Sequence, residues 1–153
     1  FQARKVAESS IIYEECLAVD PEDAETLYGL GRCRMETKNW AEGINFFTRA
    51  IAQDRSFRDY DAWLDLSFCY IQNEEGDKAI EILQRLVEEA PRVKHKTILG
   101  RCLADLGHPQ KARDMLKQAV ADYEESSFFL QRDNQGWVDQ ARQMLDTLPV
   151  QLN

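Results

Sequence analysis

Four cysteines, at 16, 33, 69 and 102, and two histidines, His95 and His108, are the side chains of this chain best suited to hold a metal or carry redox chemistry. A compact zinc site needs ligand pairs a few residues apart, yet no CxxC occurs and the histidines stand thirteen residues apart. The cysteines fall at apolar positions, where small buried thiols are ordinary; their spacing alone leaves disulfide pairing and redox compartment open. Carboxylates occur as adjacent pairs, Glu14-Glu15, Glu74-Glu75, Glu88-Glu89 and Glu124-Glu125. On a helix such neighbours diverge by about 100 degrees and do not converge on one scissile bond. There is no HExxH, no GxxxxGK followed by Ser or Thr, and no GxGxxG. The chain is therefore expected to be no enzyme, with no catalytic residue, no metal site and no cofactor.

The composition narrows the partners. The 153 residues hold 19 basic and 27 acidic side chains, a net charge of -8, which disfavours a generic phosphate-backbone binder, so no nucleic acid is expected. With 44% hydrophobic and 30% charged residues, the chain is long enough to fold as one domain over residues 1–153 with a core of its own. The longest apolar runs are only a few residues, too short for a membrane span or a signal-peptide core. The sequence begins at Phe1 rather than Met, from which we expect a piece of a longer or processed protein with an upstream anchor or domain.

The elements that must position any binding residues are helices, because apolar residues recur at three and four and hardly ever alternate. Gly31, Ser67 and Gly100 are 36 and 33 residues apart, and Gly43, Ala79 and Ala112 repeat the same two intervals. Around them Leu30, Trp63, Leu66, Tyr70 and Leu99 recur in phase. The intervals place repeats at 24–57, 60–92 and 93–126, with two extra residues around Arg58 and Asp59. Small residues at these positions let antiparallel helices approach closely. Residues 1–20 form a partial repeat or capping helix, either a second helix lacking its first or a cap; its stripe of Val6, Ser10, Tyr13 and Leu17 is joined by Ile12, Cys16 and Val19. A C-terminal capping helix is expected over 136–148, after a break within 125–136. Asn39 and Glu42 are expected to cap a helix reciprocally, and His108-Pro109 to start another.

This pattern resembles the tetratricopeptide repeat family, with its W-x2-L-G-x2-Y, A-x3-F and P signature. Trp63, Leu66 and Tyr70 match the first part, although Ser67 replaces Gly; Leu27, Leu30 and Gly31 match in the repeat before, with Arg34 in place of the aromatic. Leu99 and Gly100 match in the last, with Lys96 in place of Trp; Pro21 and Pro91 match the closing Pro where Arg55 and Glu124 do not. The resemblance implies an all-α, right-handed superhelical solenoid of antiparallel helix pairs, acting as a non-enzymatic scaffold for protein–protein interaction. The run from Gly136 to Leu145 is similar to the ends of bacterial members that carry a membrane segment ahead of the repeats. What that implies is a soluble domain tethered to a bacterial inner membrane, its membrane association arising only through an upstream segment.

In this family the first helix of each pair lines a concave face that binds peptides. The resemblance sets Tyr28, Leu64, Phe68 and Ile71 there as an apolar strip, flanked by Arg32, Lys94 and Arg101. The expected partner is a protein, contributing a peptide or helical segment with apolar side chains and an acidic group. The two-cation, asparagine clamp that one branch of the family uses for a peptide carboxylate is mostly absent: Lys94 fits, but Arg32, Tyr28, Asp65 and Ile98 replace its other members. The alternative is a self-associating structural module of a membrane-associated assembly, a homo-oligomer held by extra aromatics such as Phe128 and Phe129.

Overall fold

The computed structural model describes residues 2–150, and among these it is helical throughout, with no strand. The helices are α1 (Gln2–Val19), α2 (Ala24–Glu36), α3 (Trp40–Gln53), α4 (Asp61–Gln72), α5 (Gly76–Glu89), α6 (Val93–Asp105), α7 (Pro109–Glu125) and α8 (Phe128–Thr147), with a short left-handed turn at Phe57–Tyr60. They gather into two compact units, the first ending at Ile82 and the second beginning at Leu83, so that the boundary lies within α5. None of the described helices is long and apolar enough to cross a membrane.

In the first unit α2 packs on α3, α3 on α4, and α1 on α2. Leu27, Phe47, Ala50, Ala62, Leu66 and Cys69 form its core. Gly31 is required by contact: a Cβ there would stand 2.6 Å from the Phe47 ring. The start of α2 is fixed by Asp23, whose carboxylate accepts from the Thr26 amide at 2.8 Å. This satisfies one orphan donor of the first turn and holds the Asp23 carboxyl below its usual range.

Asn39 precedes α3 but makes no side-chain cap bond, and Glu42 does not reach back to it. Glu42 is taken instead by Arg34, whose guanidinium also donates to Ser10 Oγ at 2.9 Å and Glu14 at 2.7 Å. The residue that replaces the expected aromatic thus ties α1, α2 and α3 together. Of the cysteines, Cys33 and Cys69 are buried as the repeat phase suggests, whereas Cys16 is exposed; all four are free.

In the second unit α6 packs on α7, and α8 lies against both. Val93, Leu116, Ala119, Tyr123, Val138 and Ala141 form its core. His108 stands at the N-cap of α7 with Pro109 in its first turn, as expected. His95, one of a run of basic residues at the start of α6, points inward: it is 1% exposed and its Nδ1–H donates to the Ala90 carbonyl at 2.8 Å. The break before the last helix is confined to Ser126 and Ser127, and α8 begins at Phe128 instead of near Gly136. Gly136 lies inside this helix, its missing side chain facing open space. A single glycine costs an otherwise favourable twenty-residue helix only about 1 kcal/mol, too little to break it.

The turns joining the two helices of a pair share one conformation. Lys38, Glu74 and Gly107, 36 and 33 residues apart, all have positive φ, at 59°, 60° and 84°. This is the left-handed residue that ends many helices, and only the third turn fills it with glycine.

Candidate functional site

On the first unit, α2 and α4 bring together three of the residues expected to bind a partner or border the site. The Tyr28 hydroxyl donates to Asp65 Oδ2 at 2.9 Å, and Arg32 Nη1 lies 3.3 Å from the same carboxylate. Burial, aided by the Asp65 charge and its hydrogen bond, pushes the Tyr28 phenol up to about 12. Arg32 is raised too: partial burial opposes its charge, but the attraction and hydrogen bonding of Asp65 outweigh that. Tyr28 is therefore a mostly buried ring whose hydroxyl is committed, while Arg32 stays half exposed.

Leu64, Phe68 and Ile71 recur at i, i+4 and i+7 on one side of α4, the helix whose Asp65 anchors that pair. Leu64 and Ile71 are half-buried, whereas Phe68 is 45% exposed and meets the Trp40 ring edge-on at 5.9 Å. The strip is thus an exposed aromatic between two half-buried aliphatic residues. On the second unit, the Lys94 ammonium sits 5.6 Å from the centre of the Trp137 ring, and Arg101 is exposed, with a long 3.4 Å contact to Gln140. Both cations lie on α6 beside side chains of α8.

A cavity of about 350 Å³ opens between α1 and α2 of the first unit. Val6, Tyr13, Tyr28, Gly29 and Cys33 give it apolar walls, and Lys5, Arg32 and Arg58 face Glu25 and Glu36 around it. The Tyr13 ring lies flat over Gly29, where a Cβ would meet it at 2.4 Å. Arg58 arrives from the two-residue insertion. Arg58, Asp59 and Tyr60 all adopt left-handed backbone, at φ 48°, 55° and 70°. Successive left-handed non-glycine residues cost about 1–2 kcal/mol each. Here they bring Phe57 edge-on to Tyr28 at 5.6 Å and place the Arg58 guanidinium 5.3 Å over the Tyr28 ring, paired with Glu25. Sequence reasoning found the insertion but not its role, and missed Tyr13, Gly29 and Arg58; the signal was the broken interval.

Burial pushes the Cys69 and Cys102 thiols up to about 11 and raises Cys33, so these three are poor nucleophiles. Among the described residues no three His, Cys, Asp or Glu side chains gather in a way that could hold a metal ion.

Against this geometry stand the similarities to known proteins. Models of the tetratricopeptide repeat match residues 2–60, 39–95 and 98–126. No curated protein sequence matches. Similar solved structures include MamA (22% identity, 88% of this chain and 81% of that one, TM-score 0.61). PcrH from Pseudomonas aeruginosa gives 18% identity, 81% and 89% coverage and a TM-score of 0.65, and it has also been solved in complex with the chaperone binding region of PopB. YrrB, described as a TPR protein with an unusual peptide-binding site, gives 20% identity, 95% and 77% coverage and a TM-score of 0.64. At these identities the structures speak for the fold, and the repeat models cover most of the sequence. With paired helices, close-approach residues at fixed intervals and these matches in agreement, the chain belongs to the tetratricopeptide repeat family.

Proposed function

We propose that this protein is a non-enzymatic interaction scaffold that binds a peptide or helical segment of another protein. The observation that carries it is the α4 strip: Phe68 stands exposed in line with half-buried Leu64 and Ile71, one turn from the Asp65 carboxylate that organises Tyr28 and Arg32. An exposed aromatic ringed by aliphatic and charged side chains is the composition of an interface core with a polar rim. Arg32, Leu64, Phe68 and Ile71 on the first unit, and Lys94 and Arg101 on the second, are the residues we assign to partner contact, while Tyr28, buried and bonded to Asp65, supports the strip from beneath. That PcrH takes a segment of PopB and YrrB has a peptide-binding site supports the same class of partner for this chain.

The test is capture from a native extract on wild type and on a variant carrying Arg32→Glu, Phe68→Ser and Arg101→Glu. Partners held by wild type and lost from the folded variant support the reading. An unchanged set of partners overturns it.

A further inference from the structure

The aromatic rings of the first unit differ in what lies over them. Tyr28, Phe46, Phe57, Trp63 and Tyr70 each carry an arginine or lysine of the same unit at 5.3 to 5.9 Å from the ring centre. Among the described residues of this unit Phe68 is the one aromatic ring classed as exposed, at 45%. Neither Phe68 nor Trp40, which it meets edge-on at 5.9 Å, has a described cation over it. A partly exposed ring attracts a cation through its negative face, and the ring at the centre of the α4 strip is the one that the chain's own cations leave alone.

Carboxylates outnumber cations around that ring. Asp65 lies one turn before Phe68 on α4 and holds Arg32 of α2 at 3.3 Å. Glu36, one turn after Arg32, is held only at 4.0 Å and its side chain is 44% exposed. This end of α2 is level with Phe68, because a Cβ on Gly43 would stand 3.2 Å from the Cys69 thiol and 3.9 Å from the Met35 amide. One guanidinium is thus shared by two carboxylates, and an exposed pair as long as that of Glu36 contributes little. Along α2, α4 and the turn before α4, Glu25, Glu36, Asp61 and Asp65 stand against Arg32 and Arg58. The Tyr28 phenol registers the surplus: burial raises it most, Asp65 and Asp61 raise it further, and Arg32 opposes them. The first unit holds nine basic and seventeen acidic residues, the second ten of each. An acidic group on the partner, the expectation from Arg32 in the sequence, would meet a guanidinium already matched by two carboxylates. A cation meets an exposed ring and a surplus of negative charge.

We propose that the partner segment bound at the α4 strip is basic: it lays aliphatic side chains over Leu64 and Ile71 and sets an arginine or lysine on the Phe68 ring, within reach of Glu36. Arginine suits the place better, since its planar guanidinium stacks on the ring while its N–H groups donate to the carboxylate. This rests on the reading of the protein as a segment-binding scaffold and names the charge of the segment and the residues that select it.

The experiment is selection of 14-residue peptides from a randomised display library on the whole chain. The strongest are remade with each Arg or Lys changed to Gln, and are measured by fluorescence anisotropy against wild type, Phe68→Ser, Phe68→Leu, Glu36→Gln and Glu22→Gln. Glu22, in the turn before α2, is exposed and lies at the other end of that helix from Glu36, so it reports the charge of the unit alone. The three substituted positions are exposed, and circular dichroism checks that the variants fold. The expected peptides combine aliphatic residues with Arg or Lys, and Phe68→Ser weakens them about tenfold. Their preference for Arg over Gln, about three- to tenfold, shrinks with Phe68→Leu and with Glu36→Gln and is kept by Glu22→Gln. Acidic or uncharged binders that Phe68→Ser abolishes overturn the basic segment and leave the scaffold reading standing. A preference for Arg that Phe68→Leu and Glu36→Gln leave unmoved, or that Glu22→Gln lowers equally, overturns the site at Phe68 and Glu36. A library without binders, or binders untouched by Phe68→Ser, overturns the scaffold reading at this strip and the proposal with it.

Discussion

The first and last described helices, α1 and α8, are covered in opposite ways. Helix α8 buries Val138 and Ala141 against α6 and α7, half-buries Trp137, Met144 and Leu145, and turns Arg132, Asp139, Gln143 and Asp146 to water. Helix α1 buries only Ser10 and leaves Ile12, Cys16 and Val19 on its open side. Repeat arrays need terminal helices with a polar outer face to stay soluble. Among the described helices, α8 has that face along its body, whereas α1 keeps the apolar side of a second helix uncovered. Even α8 is not uniformly polar, since Phe128 and Phe129, at its first turn, are each 75% exposed and stack edge-on at 6.0 Å.

The largest break in this comparison comes from placing the same charge at both ends. Val138→Asp buries an unpaired carboxylate at a fully covered position and should cost about 3–5 kcal/mol, unfolding much of the second unit. Ile12→Asp should change stability by no more than about 0.5 kcal/mol. Chemical denaturation followed by circular dichroism measures both; equal losses would show that α1 is covered after all. Deleting residues 137–153 should likewise lower the melting temperature and promote aggregation, and no change in either would refute the role of α8 as a cap.

Glycines sharpen the contrast between a packed seam and an open face. Gly31→Ala drives a methyl into the Phe47 ring and should cost about 1–3 kcal/mol. Gly136→Ala adds a methyl to the open side of α8, where it should stabilise by about 1 kcal/mol. The two melting temperatures should move in opposite directions.

A smaller effect follows alkaline pH. The Tyr28 phenol is raised from 10 to about 12, so its contribution is fully present below pH 10, where the unfolded side chain is also neutral, and is lost as pH rises from 10 to 12. After allowance for solvent screening the loss is about 1–2 kcal/mol. The Cys69 and Cys102 thiols, raised from 9 to about 11, add a loss of the same sign from pH 9 to 11. Absorbance at the tyrosinate band should show a late-titrating component that Tyr28→Phe removes. The smallest change is in the turns: Lys38→Gly and Glu74→Gly should each stabilise by about 0.5–1 kcal/mol, and Gly107→Ala should destabilise by a similar amount. Thermal melts of the three variants test the signs.

How much of this was legible beforehand differs from residue to residue. Gly31, Gly43, Gly100, Ala79 and Ala112 announced the helix pairs because close approach restricts side-chain size at fixed intervals, a constraint written directly into residue type. The expected cap between Asn39 and Glu42 failed because Arg34, on the preceding helix, offered Glu42 a full opposite charge. The early start of α8 was hidden because one glycine, Gly136, is a weak breaker in a long helix anchored by tertiary contacts.

By itself the sequence determined the helical class, the repeat intervals, the family and the place of the insertion, since each depends on local periodicity and on residue size. Only the tertiary structure decided that Tyr28 is a committed, mostly buried ring instead of a free contact, that Arg58 stacks on it, and that α1 rather than α8 keeps an open apolar side. Those outcomes depend on which side chains meet across 30 or more residues, where Coulomb attraction and burial act through space and leave no trace in local spacing.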